Sequence, residues 1–103
     1  MKKRIRNGKV CVIYSGTYGS GWYSWHGHIE LLFDPHIIEL IDSGANPEEI
    51  EQYCFNEYSY DVEGLANNLV VTLVDTNDSF YIHEYDGLES VVLKSEFEWI
   101  PAS

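Results

Sequence analysis

Between Tyr14 and Gly27 the chain reads YSGTYGSGWYSWHG, with four glycines (Gly16, Gly19, Gly21, Gly27) set among Tyr14, Tyr18, Trp22, Tyr23 and Trp25. Glycine lets a backbone turn through positive φ and approach its neighbours closely. Large aromatics between such turns are costly to leave in water and make contacts at low conformational cost. The stretch therefore reads as a shaped loop rather than a catalytic site, and the rest of the chain is organised around it. Before it, Lys9 to Tyr14 (KVCVIY) is a short apolar run rich in β-branched residues, which predicts a buried strand. Residues 1–8 read as a basic flexible arm, and residues 9–103 as a single domain.

The spacing Gly16-x-x-Gly19-x-Gly21 invites comparison with phosphate-binding loops, and the comparison fails on detail. The dinucleotide fingerprint is G-x-G-x-x-G opening a helix, and the P-loop ends in Gly-Lys-Ser/Thr. Here no lysine follows, and Trp22, Tyr23 and Trp25 stand where the phosphate-facing turn would begin. His26 and His28 share a face if the chain is extended there. A metal site needs further ligands, and Glu30 is the one local candidate, so no metal is expected. No Ser/His/Asp or Cys/His arrangement has a recognisable signature. Glu84 and Asp86 form a carboxylate pair, but turn formation and solvation account for Asp86 better than acid/base work. The expectation is a protein that is not an enzyme and takes no cofactor.

Two helices follow the loop. Asp34 is a good N-cap and Pro35 fits the first helical position. Ile37, Ile38, Leu40 and Ile41 give an apolar stripe, and Gly44 is the C-terminal stop. The second helix starts with Asn46 as N-cap, Pro47 first and Glu49 at the capping-box position, and is predicted to run to about Glu57. An acidic, tyrosine-rich connector spans 58–64. The last third predicts antiparallel sheet: a strand over 69–74, a turn cluster over 75–79, a strand over 80–85, the tight-turn dipeptide Asp86-Gly87, a strand over 90–93 and a last strand over 97–100. The fold class is α+β: an antiparallel sheet of about four to five strands packed against two short consecutive helices.

Charge is the strongest global signal. Seventeen acids oppose six bases. Five of the bases lie in the first nine residues, so from Val10 onward Lys94 is the single base among all seventeen acids. Such a surface repels nucleic acid and membrane phosphates and speeds encounter with basic surfaces. Neither direct nucleic-acid binding nor membrane association is expected. Cys11 and Cys54 form no C-x-x-C pair, so two reduced, buried thiols are expected. The basic start is followed by too short an apolar run for a secretory signal, and the expected compartment is cytoplasmic.

Three segments taken together carry a resemblance: Gly16-Thr17-Tyr18-Gly19-Ser20-Gly21-Trp22, Phe33-Asp34-Pro35, and Glu84-Tyr85-Asp86-Gly87-Leu88-Glu89. They resemble small proteins encoded by tailed bacteriophages and prophages, which share a G-Y-G-x-G-W loop and an E-Y-D-G-x-E turn. In this chain a threonine stands between the first glycine and the tyrosine. The resemblance implies a source in a bacterial host and a role in phage–host contact, but no chemistry.

The reading that follows is an acidic interaction protein. It binds and inhibits a host protein with a basic, nucleic-acid-binding surface, such as a defence nuclease, by presenting carboxylates in place of phosphates. The candidate carboxylates are Glu48, Glu49, Glu51, Glu57, Asp61 and Glu63, carried by one helix and its connector, with Tyr18, Trp22 and Trp25 adding contact area. The alternative is a nucleotide-binding, sponge-like module in which Tyr18, Trp22 and Trp25 stack on a base and loop amides hold a phosphate. Oligomeric state is open in both readings, a homodimer included.

Overall fold

The computed structural model describes residues 1–96; the predicted strand over 97–100 lies outside the described residues. Among the described residues the fold is α+β, with five strands, all paired antiparallel, and two consecutive helices between β2 and β3 in the chain. Strand β1 (Ile5–Arg6) and strand β2 (Lys9–Ser15) form a hairpin. After the glycine-rich loop come a single helical turn α1 (Tyr23–His26) and a 3-10 turn (Ile29–Leu32). Helices α2 (Pro35–Asp42) and α3 (Pro47–Tyr58) follow. Strand β3 (Leu69–Asp75) then pairs with β2, and β4 (Phe80–Tyr85) with β5 (Leu88–Leu93) makes the final hairpin.

The five strands divide into two sheets, ordered β1-β2-β3 and β4-β5. The sequence predicted one antiparallel sheet through the last third, but β3 and β4 do not pair. β3 spends its whole length on β2, from Leu69 opposite Ser15 to Asp75 opposite Lys9. The chain then turns at Asp75–Ser79, where Asp78 N–H donates to the Asp75 carbonyl, and the new hairpin packs through its side chains instead. Phe80, Ile82, Val91 and Leu93 cover a small core of Val12, Leu32, Phe33 and Val74. The opposite face of β2 presents Cys11 and Ile13 to the larger core, which also holds Trp22, Ile37, Ile38, Ile50 and Cys54. β2 is thus buried on both faces. That explains why its sequence is continuously apolar rather than alternating.

Residues 1–8 are not a free arm. Asn7 and Gly8 take positive φ of 52° and 74°, the paired left-handed geometry of a two-residue hairpin turn, for which Asn-Gly is the preferred dipeptide. Cys11 N–H donates to the Arg4 carbonyl at 2.9 Å. Arg4 pairs with Glu39 at 2.7 Å, Arg6 pairs with Asp42, and Lys3 Nζ lies 4.5 Å from the centre of the Phe33 ring. The basic segment is docked on α2 by ion pairs and a cation–π contact.

Both helices are capped as their sequences predict. The Asp34 side chain accepts from His36 N–H and Ile37 N–H, and Asn46 Oδ1 accepts from Glu49 N–H at 3.0 Å. α2 ends in a Schellman motif: Ala45 N–H reaches the Leu40 carbonyl and Gly44 N–H the Ile41 carbonyl, with Gly44 at φ 76°. α3 runs one residue past the expected end and stops at Ser59, which is itself left-handed at φ 60°.

Candidate functional site

Helix α3 buries Ile50 and Cys54 and turns its other faces outward. Burial pushes the Cys54 thiol up to about 12, so the sulfur stays protonated and inert; Cys11 is likewise buried and free. With Ile50 and Cys54 fixed inward, helical spacing sends Glu48, Glu51 and Phe55 toward the connector that follows. Glu48, Glu51, Asp61 and Glu63 line one groove of about 390 Å³, together with Gln52, Phe55 and Tyr60. Phe55 is 57% exposed there. Among the described residues the ion pairs involve Glu39 and Asp42, so none of the four groove carboxylates is neutralised from within. Their field faces outward.

The other two expected carboxylates lie elsewhere on α3. Glu49 is on a flank that it shares with Glu48, Glu57, His36 and Asn56, so this open surface carries three of the six expected carboxylates. Glu57 lines a second cleft, of about 530 Å³, between α2, α3 and the N-terminal segment. The floor of that cleft is Asp34, 4% exposed. Its Oδ1 caps α2, while Tyr53 and Tyr58 both donate hydroxyl hydrogen bonds to its Oδ2, the former at 2.8 Å. Burial first, and then the hydrogen bond to Asp34, holds both phenols protonated well above their ordinary range.

From this cleft a file of rings runs back toward the glycine-rich loop. Tyr58 stacks on Tyr60 at 5.2 Å, Tyr60 on His28 at 3.6 Å, and His28 on His26 at 5.3 Å. His26 meets Trp22 edge-on at 4.5 Å. His26 Nδ1 accepts from His28 N–H at 2.8 Å, which puts the ring proton on Nε2, and that atom is buried without a partner. Burial is the main cause holding the His26 pKa down at about 4; His28 adds to it and Glu30 opposes it. The two histidines thus serve as stacked rings within the fold. They do not sit side by side on a strand.

The glycine-rich loop and the Asp86-Gly87 turn form one clasp. Asp86 and Gly87 take φ of 50° and 88°, joining β4 to β5 in a two-residue turn. Gly19 N–H donates to the Asp86 carbonyl at 2.5 Å. A Cβ on Gly87 would lie 2.5 Å from Ser20 N, 2.9 Å from Gly19 N and 3.0 Å from Gly21 N. Trp25 Nε1 donates to Glu84 at 2.7 Å, and Tyr18 sits edge-on to Tyr85 at 6.4 Å. Behind these contacts Glu89, 2% exposed, accepts from Ser15 N–H, Ser24 N–H and the Ser24 hydroxyl at 2.8, 2.8 and 2.5 Å. One carboxylate therefore joins the free edge of β2, the start of α1 and β5.

The aromatic residues expected at a contact surface separate accordingly. Trp22 is a correction: it is fully buried, with Nε1 donating to the Leu31 carbonyl at 3.0 Å, because an indole in the larger core removes far more apolar area from water than one on the surface. Tyr18 and Trp25 remain 61% and 46% exposed, but on the clasp, not beside Phe55. Of the loop's amides, Gly19 N–H is committed to the Asp86 carbonyl, and the buried Trp22 indole offers no face for a base to stack on. Sequence reasoning named Asp34 only as the cap of α2 and missed its link to Tyr53 and Tyr58; it missed Phe55 and Glu89 altogether as site or framework residues. Phe55 had a signal, since it falls outside the Ile50/Cys54 stripe; Glu89 had none, because its partners are far away in the chain.

Among the described residues no helix is long and apolar enough to cross a membrane. Compared with family models, with curated proteins and with solved structures, the chain matches none.

Proposed function

We propose that this chain is an interaction protein that binds a basic, nucleic-acid-binding surface of another protein, with carboxylates standing in for backbone phosphates. One observation carries the reading: Glu48, Glu51, Asp61 and Glu63 line one groove with the exposed Phe55, and among the described residues none of them has an ion-pair partner. An aromatic anchor ringed by charges is the usual arrangement of an energetic centre within a polar rim. The net charge of −11 adds long-range attraction for such a partner. With the source that the loop and turn motifs imply, the partner would be a host defence nuclease or a component of the transcription machinery, and binding would block its nucleic-acid channel.

The test is capture from nuclease-treated host lysate with elution by rising salt. A stoichiometric basic partner should leave at moderate salt and be lost from the quadruple variant E48Q/E51Q/D61N/E63Q, and Phe55→Ala should weaken capture without changing its salt dependence. Capture indifferent to salt and to the quadruple variant would overturn the reading.

A further inference from the structure

Two tight turns of this chain share a backbone geometry and have opposite surroundings. Asn7-Gly8 joins β1 to β2 with φ of 52° and 74°, and Asp86-Gly87 joins β4 to β5 with φ of 50° and 88°. Gly87 is buried, its N–H donates to Glu84 Oε2 at 3.3 Å, and three backbone nitrogens of the glycine-rich loop lie against it. Gly8 is exposed, and a Cβ placed on it would meet nothing within 4 Å. It lies between the paired residues Arg6 and Lys9, so its N–H takes no part in the ladder. Among the described residues that N–H donates to no other backbone acceptor. The side-chain amide carbon of Asn7 therefore stands next to an unhindered, solvated backbone nitrogen, the pair that closes a five-membered imide. Arg6 and Lys9 flank the turn, and nearby positive charge favours loss of the proton that makes this nitrogen a nucleophile. The other asparagines lack the arrangement: Asn46 precedes proline, which has no N–H, and Asn56, Asn67, Asn68 and Asn77 precede residues with side chains.

We propose that Asn7 is a site of spontaneous deamidation, and that its isoaspartyl product releases the N-terminal segment from α2. Solvent takes the Gly8 amide proton, Gly8 N attacks Asn7 Cγ, and the Cγ–Nδ2 bond breaks. The departing nitrogen takes a proton back from solvent and leaves as ammonia. Water then opens the imide. Breaking the bond from Cγ to nitrogen gives aspartate; breaking the bond from the main-chain carbonyl carbon gives isoaspartate. The aspartyl product keeps the turn, since Asp86 itself holds φ of 50° in the same geometry. The isoaspartyl product brings Cβ into the main chain and lengthens a turn that two residues must close, so Arg6 no longer meets Lys9. The Arg4–Glu39 and Arg6–Asp42 pairs are half-exposed and hold little by themselves. The segment therefore leaves α2 with the turn, and Lys3 leaves the Phe33 ring. This device belongs to the N-terminal hairpin and does not depend on the acidic groove.

The experiment is incubation of the full chain at mildly alkaline pH, read by peptide mapping with mass spectrometry and by enzymatic methylation of isoaspartate. Isoaspartate should accumulate in the Asn7 peptide ahead of the Asn56 and Asn77 peptides, while Asp86-Gly87 stays unconverted. Gly8→Ala should slow the conversion about tenfold, because a β-carbon beside the attacking nitrogen hinders ring closure. Ion exchange then separates the products from the parent by their added negative charge. Trypsin should cut after Arg4 several-fold faster in the isoaspartyl chain than in the parent. Asn7→Asp, which carries the same charge on an ordinary backbone, should be cut at close to the parent's rate. Isoaspartate forming at Asn7 no faster than at Asn56 or Asn77 would overturn the site. Conversion of Asp86 as fast as Asn7 would overturn the claim that the open turn decides the chemistry. Equal cutting of the isoaspartyl chain and Asn7→Asp would overturn the release. Urea unfolding curves for each species separate an undocked segment from a chain unfolded as a whole.

Discussion

Glu89 is a fully buried carboxylate with no cation beside it, kept in place by three donors from two distant segments. Replacing it by glutamine turns an NH2 toward backbone donors and leaves at least one of them unmet. Glu89→Gln should lower unfolding free energy by about 2–3 kcal/mol, read from urea titration. A loss below about 0.5 kcal/mol would mean that the clasp does not depend on this contact. Gly87 is constrained twice over, by φ and by space. Gly87→Ala puts a methyl against three backbone nitrogens that cannot retreat, and should cost about 2–4 kcal/mol in the same assay. His26 brings a pH dependence. Its folded pKa of about 4 lies below the ordinary 6.5, so in that window the unfolded chain takes up a proton that the fold refuses. Stability is complete above the ordinary value and declines as pH falls toward about 4. His26→Asn, which retains an acceptor near the Nδ1 position, should flatten the slope of the urea midpoint between about pH 7 and about pH 5. An unchanged slope would assign the effect to other groups.

At the scale of elements, Asp34 links α2 to α3. It caps the first helix with one oxygen and holds two tyrosines of the second with the other. Asp34→Ala removes the cap and leaves two half-buried hydroxyls without their acceptor. The expected loss is about 3 kcal/mol, against about 1 kcal/mol for Asn46→Ala, where a cap alone is removed. Equal losses would show that the tyrosine contacts contribute nothing. The segmentation around these helices was legible in Asp34-Pro35, Gly44 and Asn46-Pro47, because caps are local chemistry. Asn7-Gly8 was equally legible as a hairpin turn, and the basic character of its surroundings concealed it. The separation of β3 from β4 could not be read, since a turn between two strands says nothing about whether they pair.

For the whole molecule, residues 10–103 carry sixteen net negative charges against five bases in the first nine residues. Self-repulsion of that size outweighs a pair of half-exposed salt bridges, which contribute little individually. Moderate NaCl should therefore raise the urea midpoint, since screening weakens the repulsion more than the Arg4–Glu39 and Arg6–Asp42 pairs. A midpoint that falls with salt would make the docked segment the dominant electrostatic element. Four of the six carboxylates named from sequence do share a groove, because Glu48 and Glu51 are one helical turn apart and the connector doubles back beside them. Trp22 went inward for a reason that no local pattern contains: the larger core had room for an indole and an acceptor for its N–H.

What the sequence by itself determined is everything that depends on neighbours in the chain. That includes the capped helices, the strand segments as far as Leu93, the Asp86-Gly87 turn and the scarcity of cations after Val10, where Lys94 stands alone. Only the tertiary structure decided which segments meet. It folded the glycine-rich loop onto the Asp86-Gly87 turn, gave Glu89 donors from Ser15 and Ser24, and split the strands into two sheets. It also enclosed Asp34 between two tyrosines. The physical reason is that hydrogen bonding in a turn or cap is settled within a few residues, whereas burial is shared by the whole chain. A side chain's place in the core depends on which distant surfaces remain to be covered.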